Sequence, residues 1–356
     1  MGGKTLNKTK YLAGIAAATA VSATALLVAP AGAQEISWDM QSTYPGSLTQ
    51  LGTLGVRIEE QIALVSGGEI EINFQEPGAL VPALEVFDAV STGAVQAGWS
   101  TPGYWAGREP ALALFAAVPF GPEAGEYMAW YYFGGGKELF EEIYNSYNIH
   151  SVMCGIIAPE ASGWFREPIE STADMEGLKM RFFGLGARVM EKMGVSTQLL
   201  AGGDIFPALE LGTIDATEFS MPAIDLNLGF YQVAKHYYLP GWHQQSTMFD
   251  LMINLDEWNS LTDTQKAQIE AVCGDNMRHG LAEGEAIQFA ALQELEEEHG
   301  VTIHEWDQAI LDELEAAWLE VKDELVAENE RFATAWDSLS TFRENYDRWG
   351  ELGYLD

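Results

Sequence analysis

The chain has 356 residues, of which 53 are acidic and 18 basic, for a formal net charge of −35. A field of that sign repels nucleic acid and anionic membrane surfaces, so neither is expected as a partner. Any anionic ligand must be held by a local cationic group or a bound metal, because the protein as a whole opposes it.

In chain order, residues 1–33 come first. Lys4, Lys8 and Lys10 precede a run of apolar and small residues that ends at Ala31-Gly32-Ala33. A basic start, an apolar stretch and an A-x-A site predict a secretory signal peptide and an exported mature chain. Alternating residues then predict strands at 35–42 and 69–76, a helix over 80–93 stopped by glycine, and a strand at 94–100. This βαβ rhythm implies a mostly parallel sheet with helices on its faces. Helices follow at 124–133 and 137–147 and an apolar strand at 150–159. Strands are expected at 163–169, 178–183 and 197–200, with helices at 186–194 and from 204. After a strand at 246–255, the Thr262-x-x-Gln265 capping box opens a long helix to about Gly300. A second long, charged helix is expected over 307–347. No repeat or Pro/Ser-rich linker separates the halves, so the expected fold class is α/β, with two lobes joined by crossing strands and long helices.

The cysteines, Cys154 and Cys273, both lie in apolar patterns. They read as two separate small buried hydrophobes rather than as a bridge, since a single pair makes no framework. Catalytic motifs are missing. The FGGGKEL stretch at 133–139 lacks the Ser/Thr after Lys137 that a phosphate loop needs, and GWSTP at 98–102 lacks the second glycine of a nucleophile elbow. The six histidines show no zinc spacing. A two-lobed exported protein without catalytic machinery reads as a binding protein with its ligand between the lobes.

GWFREPIESTADMEGLKMRFFGLG (163–186) and GGDIFPALELGTIDATEFSMP (202–222) closely resemble the solute-binding proteins of TRAP (tripartite ATP-independent periplasmic) transporters. The resemblance covers essentially the whole mature chain. GWFR, DATEF and LPGWHQQ look most like the branch that binds 2-oxo and 2-hydroxy monocarboxylates such as pyruvate or lactate with a metal ion. It implies a periplasmic receptor, not an enzyme, with lobe I at 34–158 plus 247–288 and lobe II at 159–246 plus 289–356. It also implies TRAP membrane subunits as partners and, through the C-terminal helix, a possible homodimer.

By the same resemblance Arg181, in the KMR strand, anchors the ligand carboxylate; a planar guanidinium can give two parallel charge-assisted bonds. The structural alternative is a strand-edge arginine paired with a glutamate such as Glu176. The other implied site residues are Glu160, Glu218 with Phe219, and Gln244. Two of these depart from the family pattern, a carboxylate standing at 160 for an amide and an amide at 244 for a carboxylate. Glu160, Glu218 and the Phe219 carbonyl would ligate Ca²⁺ or Na⁺, two carboxylates favouring Ca²⁺. Tyr104, in the first-lobe GWSTPGYW segment, is a wall or hydroxyl donor, whereas Trp99 and Trp105 read as packing. Phe182, Phe183 and Trp242 either make the cleft apolar or belong to the core. The rival class is an exported metal-dependent lyase or isomerase using Glu160 and Glu218 as acid and base.

Overall fold

The alternation of ISWDMQS forms strand β1 (Ile36–Ser42), burying Trp38 and Met40, and that of IEINFQ forms β2 (Ile70–Gln75), burying Ile70 and Ile72. The structure, a computed structural model, describes residues 35–354, so the proposed leader lies outside the described residues. Between the two strands runs α1 (Thr53–Ser66), which the sequence-based expectation lacks. Its buried Leu54, Ile58 and Ile62 recur every four residues, and Gly67 ends it in the left-handed region at φ 65°. Helix α2 (Val86–Ser91) is shorter than expected because Pro82 and a 3-10 turn at 83–85 occupy the start of the apolar run. After β3 (Ala97–Ser100) come α3 (Ala124–Phe133) and α4 (Gly136–Asn145). Gly135 between them has φ 92°, so FGGGKEL is a turn that opens a helix. Strand β4 (Ile149–Ile157) completes this part.

The middle of the chain supplies β5 (Gly163–Phe165), β6 (Lys179–Arg181), α5 (Gly184–Lys192), β7 (Ser196–Gln198), α6 (Gly202–Glu210), β8 (Ala216–Thr217), α7 (Pro222–Leu228) and β9 (His236–Leu239). The chain then returns to the first lobe as β10 (Thr247–Asn254), followed by α8 (Leu255–Ser260), α9 (Asp263–Glu297) and β11 (Thr302–Glu305). Two sheets result. The first has the order β2-β1-β3-β10-β4, with β1 parallel to β2 and β3 and the returning β10 antiparallel to β3 and β4. The second has the order β11-β9-β5-β8-β6-β7, in which β6 lies parallel to both β7 and β8. The chain therefore crosses between sheets at 158–162 and again at 240–246, the two crossings that lie where the lobes meet, and a third time through the long helix α9.

The expected capping box is present: Gln265 Oε1 accepts from Thr262 N (2.9 Å), and Thr262 Oγ1 from Gln265 N (3.3 Å). Helix α9 packs on α1 and β4 of the first lobe and on α7 of the second. The helix expected over 307–347 is instead two, α10 (Gln308–Glu328) and α11 (Glu330–Gly353), broken at Asn329. Asn329 is extended, and its side chain caps α11 at Phe332 N (2.7 Å) while donating to Glu109 Oε1 (3.1 Å). Helix α10 packs on α5 and α11 on α3 and α4, so the pair straps one lobe to the other.

Cys154 on β4 and Cys273 on α9 form a disulfide, which corrects the expectation of two separate thiols. A sequence separation of 119 hides a direct packing of α9 along β4, where Asn276 Nδ2, one turn from Cys273, donates to the Cys154 carbonyl (2.8 Å). A crosslink closing a loop of this length contributes about 2–5 kcal/mol, mainly by restricting the unfolded chain. The Cys154→Ala/Cys273→Ala variant should lose that much in urea unfolding. A loss below 1 kcal/mol would show that the bridge is energetically idle.

Candidate functional site

Strand alternation turns Met180 into the second lobe's core and Arg181 to the opposite side of β6, at the strand's C-terminal end. Arg181 is 1% exposed. Its Nε donates to Leu200 O (3.2 Å), and its Nη1 donates to Glu218 O (2.7 Å) and Glu218 Oε2 (3.0 Å). The guanidinium also lies 5.1 Å from the Phe219 ring centroid. Its ionic partner is thus Glu218, and Glu176 lies on the surface. Glu218 follows β8 directly, with its N–H donating to Arg181 O (3.1 Å), so the two residues are fixed by adjacent strands. Glu218 Oε2 also accepts from Phe183 N (2.9 Å), and Oε1 lies 3.6 Å from His243 Nε2.

Glu160 and Gln244 come from the two crossings. Glu160 N donates to Gln244 O (3.1 Å), and Glu160 O accepts from Gly241 N (2.9 Å). A Cβ at Gly241 would stand 2.3 Å from Glu160 O, so only glycine allows this approach. Glu160 Oε1 accepts from Thr247 Oγ1 (2.9 Å) and from Ser220 Oγ (3.4 Å). The Gln244 amide enters the same cluster. One of its terminal atoms lies 2.7 Å from Thr247 Oγ1; the other lies 3.1 Å from Glu160 Oε2, 3.3 Å from Glu218 Oε1 and 2.9 Å from His243 Nε2. The first lobe covers this cluster with Tyr44, Tyr104 and Phe249, and Tyr104 meets Phe183 edge-on at 5.3 Å. The cavity between them is about 20 Å³, room for about one water.

Burial, reinforced by the charge of Glu218, pushes the Glu160 carboxyl well above its ordinary value. Burial acts on Glu218 in the same sense, but Arg181, with His243 and the Phe183 N–H, outweighs it and holds that carboxyl low. The pair therefore consists of an ionised Glu218 and a Glu160 that favours its proton. Asp225 beneath them is raised to about 7 by burial despite bonds from Trp164 Nε1 and Tyr237 OH (2.9 Å each). Tyr104 is raised by burial, partly offset by Arg181, and so keeps its hydroxyl proton.

Glu160, Glu218 and His243 offer ligand atoms that all lie within 4.8 Å of one another. Glu160 and Glu218 supply carboxylate oxygens, the donors that Ca²⁺ and other hard cations take. Once Glu160 gives up its proton, two buried carboxylates face a single guanidinium, and a cation would balance the charge left. The donor set therefore fits a hard cation.

Residues 42–329 match the sequence profile of the DctP family, described as bacterial extracellular solute-binding protein, family 7. The chain belongs to this family. A relative from Nostoc sp., described as a monocarboxylate 2-oxoacid-binding periplasmic protein, is 32% identical over 91% of this chain and 89% of its own length. Among solved structures, a TRAP transporter solute-binding protein from Bordetella bronchiseptica superposes with TM-score 0.88 at 33% identity, covering 90% of this chain and 95% of that one; it is described as a mixed-occupancy dimer with copurified calcium and picolinate. Another, from Pseudoalteromonas atlantica, has bound sodium and pyruvate, with TM-score 0.86 at 29% identity over 90% and 97% of the two chains. The two-lobed α/β fold and the TRAP receptor class expected from the sequence both hold.

In this DctP-family chain every site residue read from the sequence, Arg181, Glu160, Glu218, Phe219, Gln244 and Tyr104, lines or adjoins one cavity. Glu160 and Gln244 are neighbours in this cluster, joined by Glu160 N donating to Gln244 O (3.1 Å). Trp99 is buried and donates to Leu51 O (2.6 Å), as packing rather than contact. Five participants named above escape the sequence: His243, Thr247, Ser220 and the wall residues Tyr44 and Phe249. His243 stands beside Gln244 in PGWHQQ, but its partners lie 25 and 83 residues away, so no metal-ligand spacing reveals it.

Proposed function

We propose that this chain is the periplasmic receptor of a TRAP transporter and captures a small 2-oxo or 2-hydroxy monocarboxylate, such as pyruvate or lactate, together with Ca²⁺ or Na⁺. The observation that carries the reading is a buried guanidinium beside two buried carboxylates where both lobes meet, around a space of about 20 Å³ that must widen to admit the acid. Nη1 and Nε of Arg181 are committed to Glu218 and Leu200, and Nη2, without a hydrogen-bond partner among the described residues, is left for the ligand carboxylate. Tyr104 offers its hydroxyl from the opposite lobe. A cation held by Glu160, Glu218, the Phe219 carbonyl and Gln244 supplies positive charge to the ligand's carboxylate and 2-oxygen. Because the ligand touches both lobes only when they meet, its binding shifts the population toward closure.

Lobes of 34–158 plus 247–288 and 159–246 plus 289–356 belong to the same proposal and follow the division of strands between the two sheets, although α11 packs on the first lobe. Delivery to TRAP membrane subunits, absence of catalysis and a homodimer are also part of it; the exposed Trp349 and Leu352 at the tip of α11 support the last. Melting a panel of small carboxylic acids with the protein tests the ligand class. A ligand present at a hundred times Kd stabilises by about 2.7 kcal/mol, a rise of several degrees. Pyruvate or lactate should give it in calcium, and a panel without any shift would remove the assignment.

A further inference from the structure

We propose that His236 and His304 form a surface site for a late transition-metal ion, Cu²⁺ or Ni²⁺, which fastens the edge strand of the second sheet. The pair shares no residue with the cleft cluster and stands apart from the ligand and cation proposed there.

Strands β9 and β11 are parallel, with His236 opposite Thr302 and Tyr238 opposite His304. Strand alternation therefore puts His236, Tyr238 and His304 on one face. The His304 ring lies flat on Tyr238, with centroids 4.5 Å apart and planes 9° from parallel. Tyr238 in turn packs on Trp306 (4.3 Å) and edge-on to Phe165 (5.4 Å). This aromatic base fixes one imidazole, which reaches diagonally to the other, so that His236 Nδ1 and His304 Nε2 are 2.9 Å apart. Both residues are half-buried, so an ion and its waters can reach them. They are 68 residues apart in the chain, and no ligand spacing announces them.

Neutral imidazole is the commonest metal ligand and suits Cu²⁺, Ni²⁺ and Zn²⁺. Two nitrogens bound at roughly 2.0–2.1 Å stand about 2.9 Å apart when they meet an ion at right angles and about 3.4 Å apart at a tetrahedral angle. The observed separation is that of neighbouring positions in a tetragonal shell, the geometry of Cu²⁺ and Ni²⁺ rather than of Zn²⁺. The rings meet end to end, with centroids 5.1 Å apart, and a tilt of each toward solvent aims both lone pairs at one ion. The proton between them moves to the far nitrogen of its own ring, so both bind neutral. Among the described residues no third histidine, cysteine or carboxylate lies close enough to join the pair. Water fills the remaining positions, and Ca²⁺, which takes oxygen ligands, is not suited. Strand β11 has four residues and pairs with β9 alone. An ion on both histidines therefore crosslinks the sheet edge between the end of α9 and the start of α10. The strongly acidic chain raises the local concentration of cations.

The test adds Cu²⁺ for electron paramagnetic resonance and Ni²⁺ for calorimetry, to wild type and to His236→Gln, His304→Gln and His243→Asn. The expected result is one Cu²⁺ per chain with two coordinated imidazole nitrogens, a signal that the cleft cluster, with its single histidine, could not give. Ni²⁺ should bind about a hundredfold more weakly in His236→Gln and in His304→Gln, because each forfeits a second ligand tethered on the same sheet. His243→Asn should bind it as wild type does. A Ni²⁺ affinity unchanged in either glutamine variant, a Cu²⁺ signal with fewer than two nitrogens, or a loss of Ni²⁺ binding in His243→Asn would each overturn the site. If a glutamine variant fails to melt cooperatively, the Cu²⁺ signal of wild type decides by itself, two nitrogens supporting the site and fewer removing it.

Discussion

Arg181→Lys should bind pyruvate about a hundredfold more weakly than wild type while melting as a cooperative, folded protein. A lysine keeps one charge in reach of Glu218, so the buried carboxylate is not abandoned. It cannot serve Leu200 O, Glu218 O, Glu218 Oε2 and a ligand at once, as the guanidinium's geometry allows. Hydrogen bonds to charged groups contribute about 1.5–3 kcal/mol, and about 2.8 kcal/mol is a hundredfold in affinity. Arg181→Met has a different expected outcome. The pair is 1% and 0% exposed, and removing one partner of a buried pair costs about 3–5 kcal/mol, so this variant should lose stability first. Calorimetry and chemical unfolding on both variants separate the roles. An affinity for pyruvate unchanged in Arg181→Lys would refute the anchor.

The second large effect is on the pH dependence of stability. Glu160 binds its proton more tightly in the folded state than in the unfolded chain, because burial and then Glu218 raise it. The folded protein therefore holds more protons in the window above the ordinary carboxylate value, and stability contributed by this group falls as pH rises through it. Asp225, raised from 3.8 to about 7 by burial, adds the same sign between those values. Glu218 is lowered, so its contribution is present above its ordinary value and is lost only in acid. Calcium competes with the Glu160 proton, which makes its affinity rise with pH. The calcium-induced rise in melting temperature should thus be small at pH 5 and grow to several degrees at pH 8. A gain independent of pH would mean that no proton is displaced from the cluster.

Physical causes separate what the sequence made legible from what it did not. Alternation exposed β1 and β2 because each has a buried side, and the Thr262–Gln265 box located the start of α9. Helix α1 was missed although Leu54, Ile58 and Ile62 mark one face, since the glycines flanking it suggest a loop. The break at Asn329 was missed because a single asparagine in a charged helical run is ordinary, and only its bonds to Glu109 and Phe332 N make it a cap. The disulfide was misread because local apolar context describes each cysteine but not the packing of α9 on β4. At the site, family resemblance supplied the residues, and β6 and β8 explain why Arg181 and Glu218 must meet. His243 and Thr247 belong to the same cluster through hydrogen bonds that no linear pattern encodes.

The central claim is that this protein binds a small 2-oxo acid through Arg181 and a cation together. Titration of pyruvate by calorimetry, once in calcium and once in chelator, tests it most directly. The account predicts one pyruvate per chain in calcium, binding at least tenfold weaker in chelator, and no product on prolonged incubation. Equal affinity in both conditions, or turnover of the acid, would contradict it.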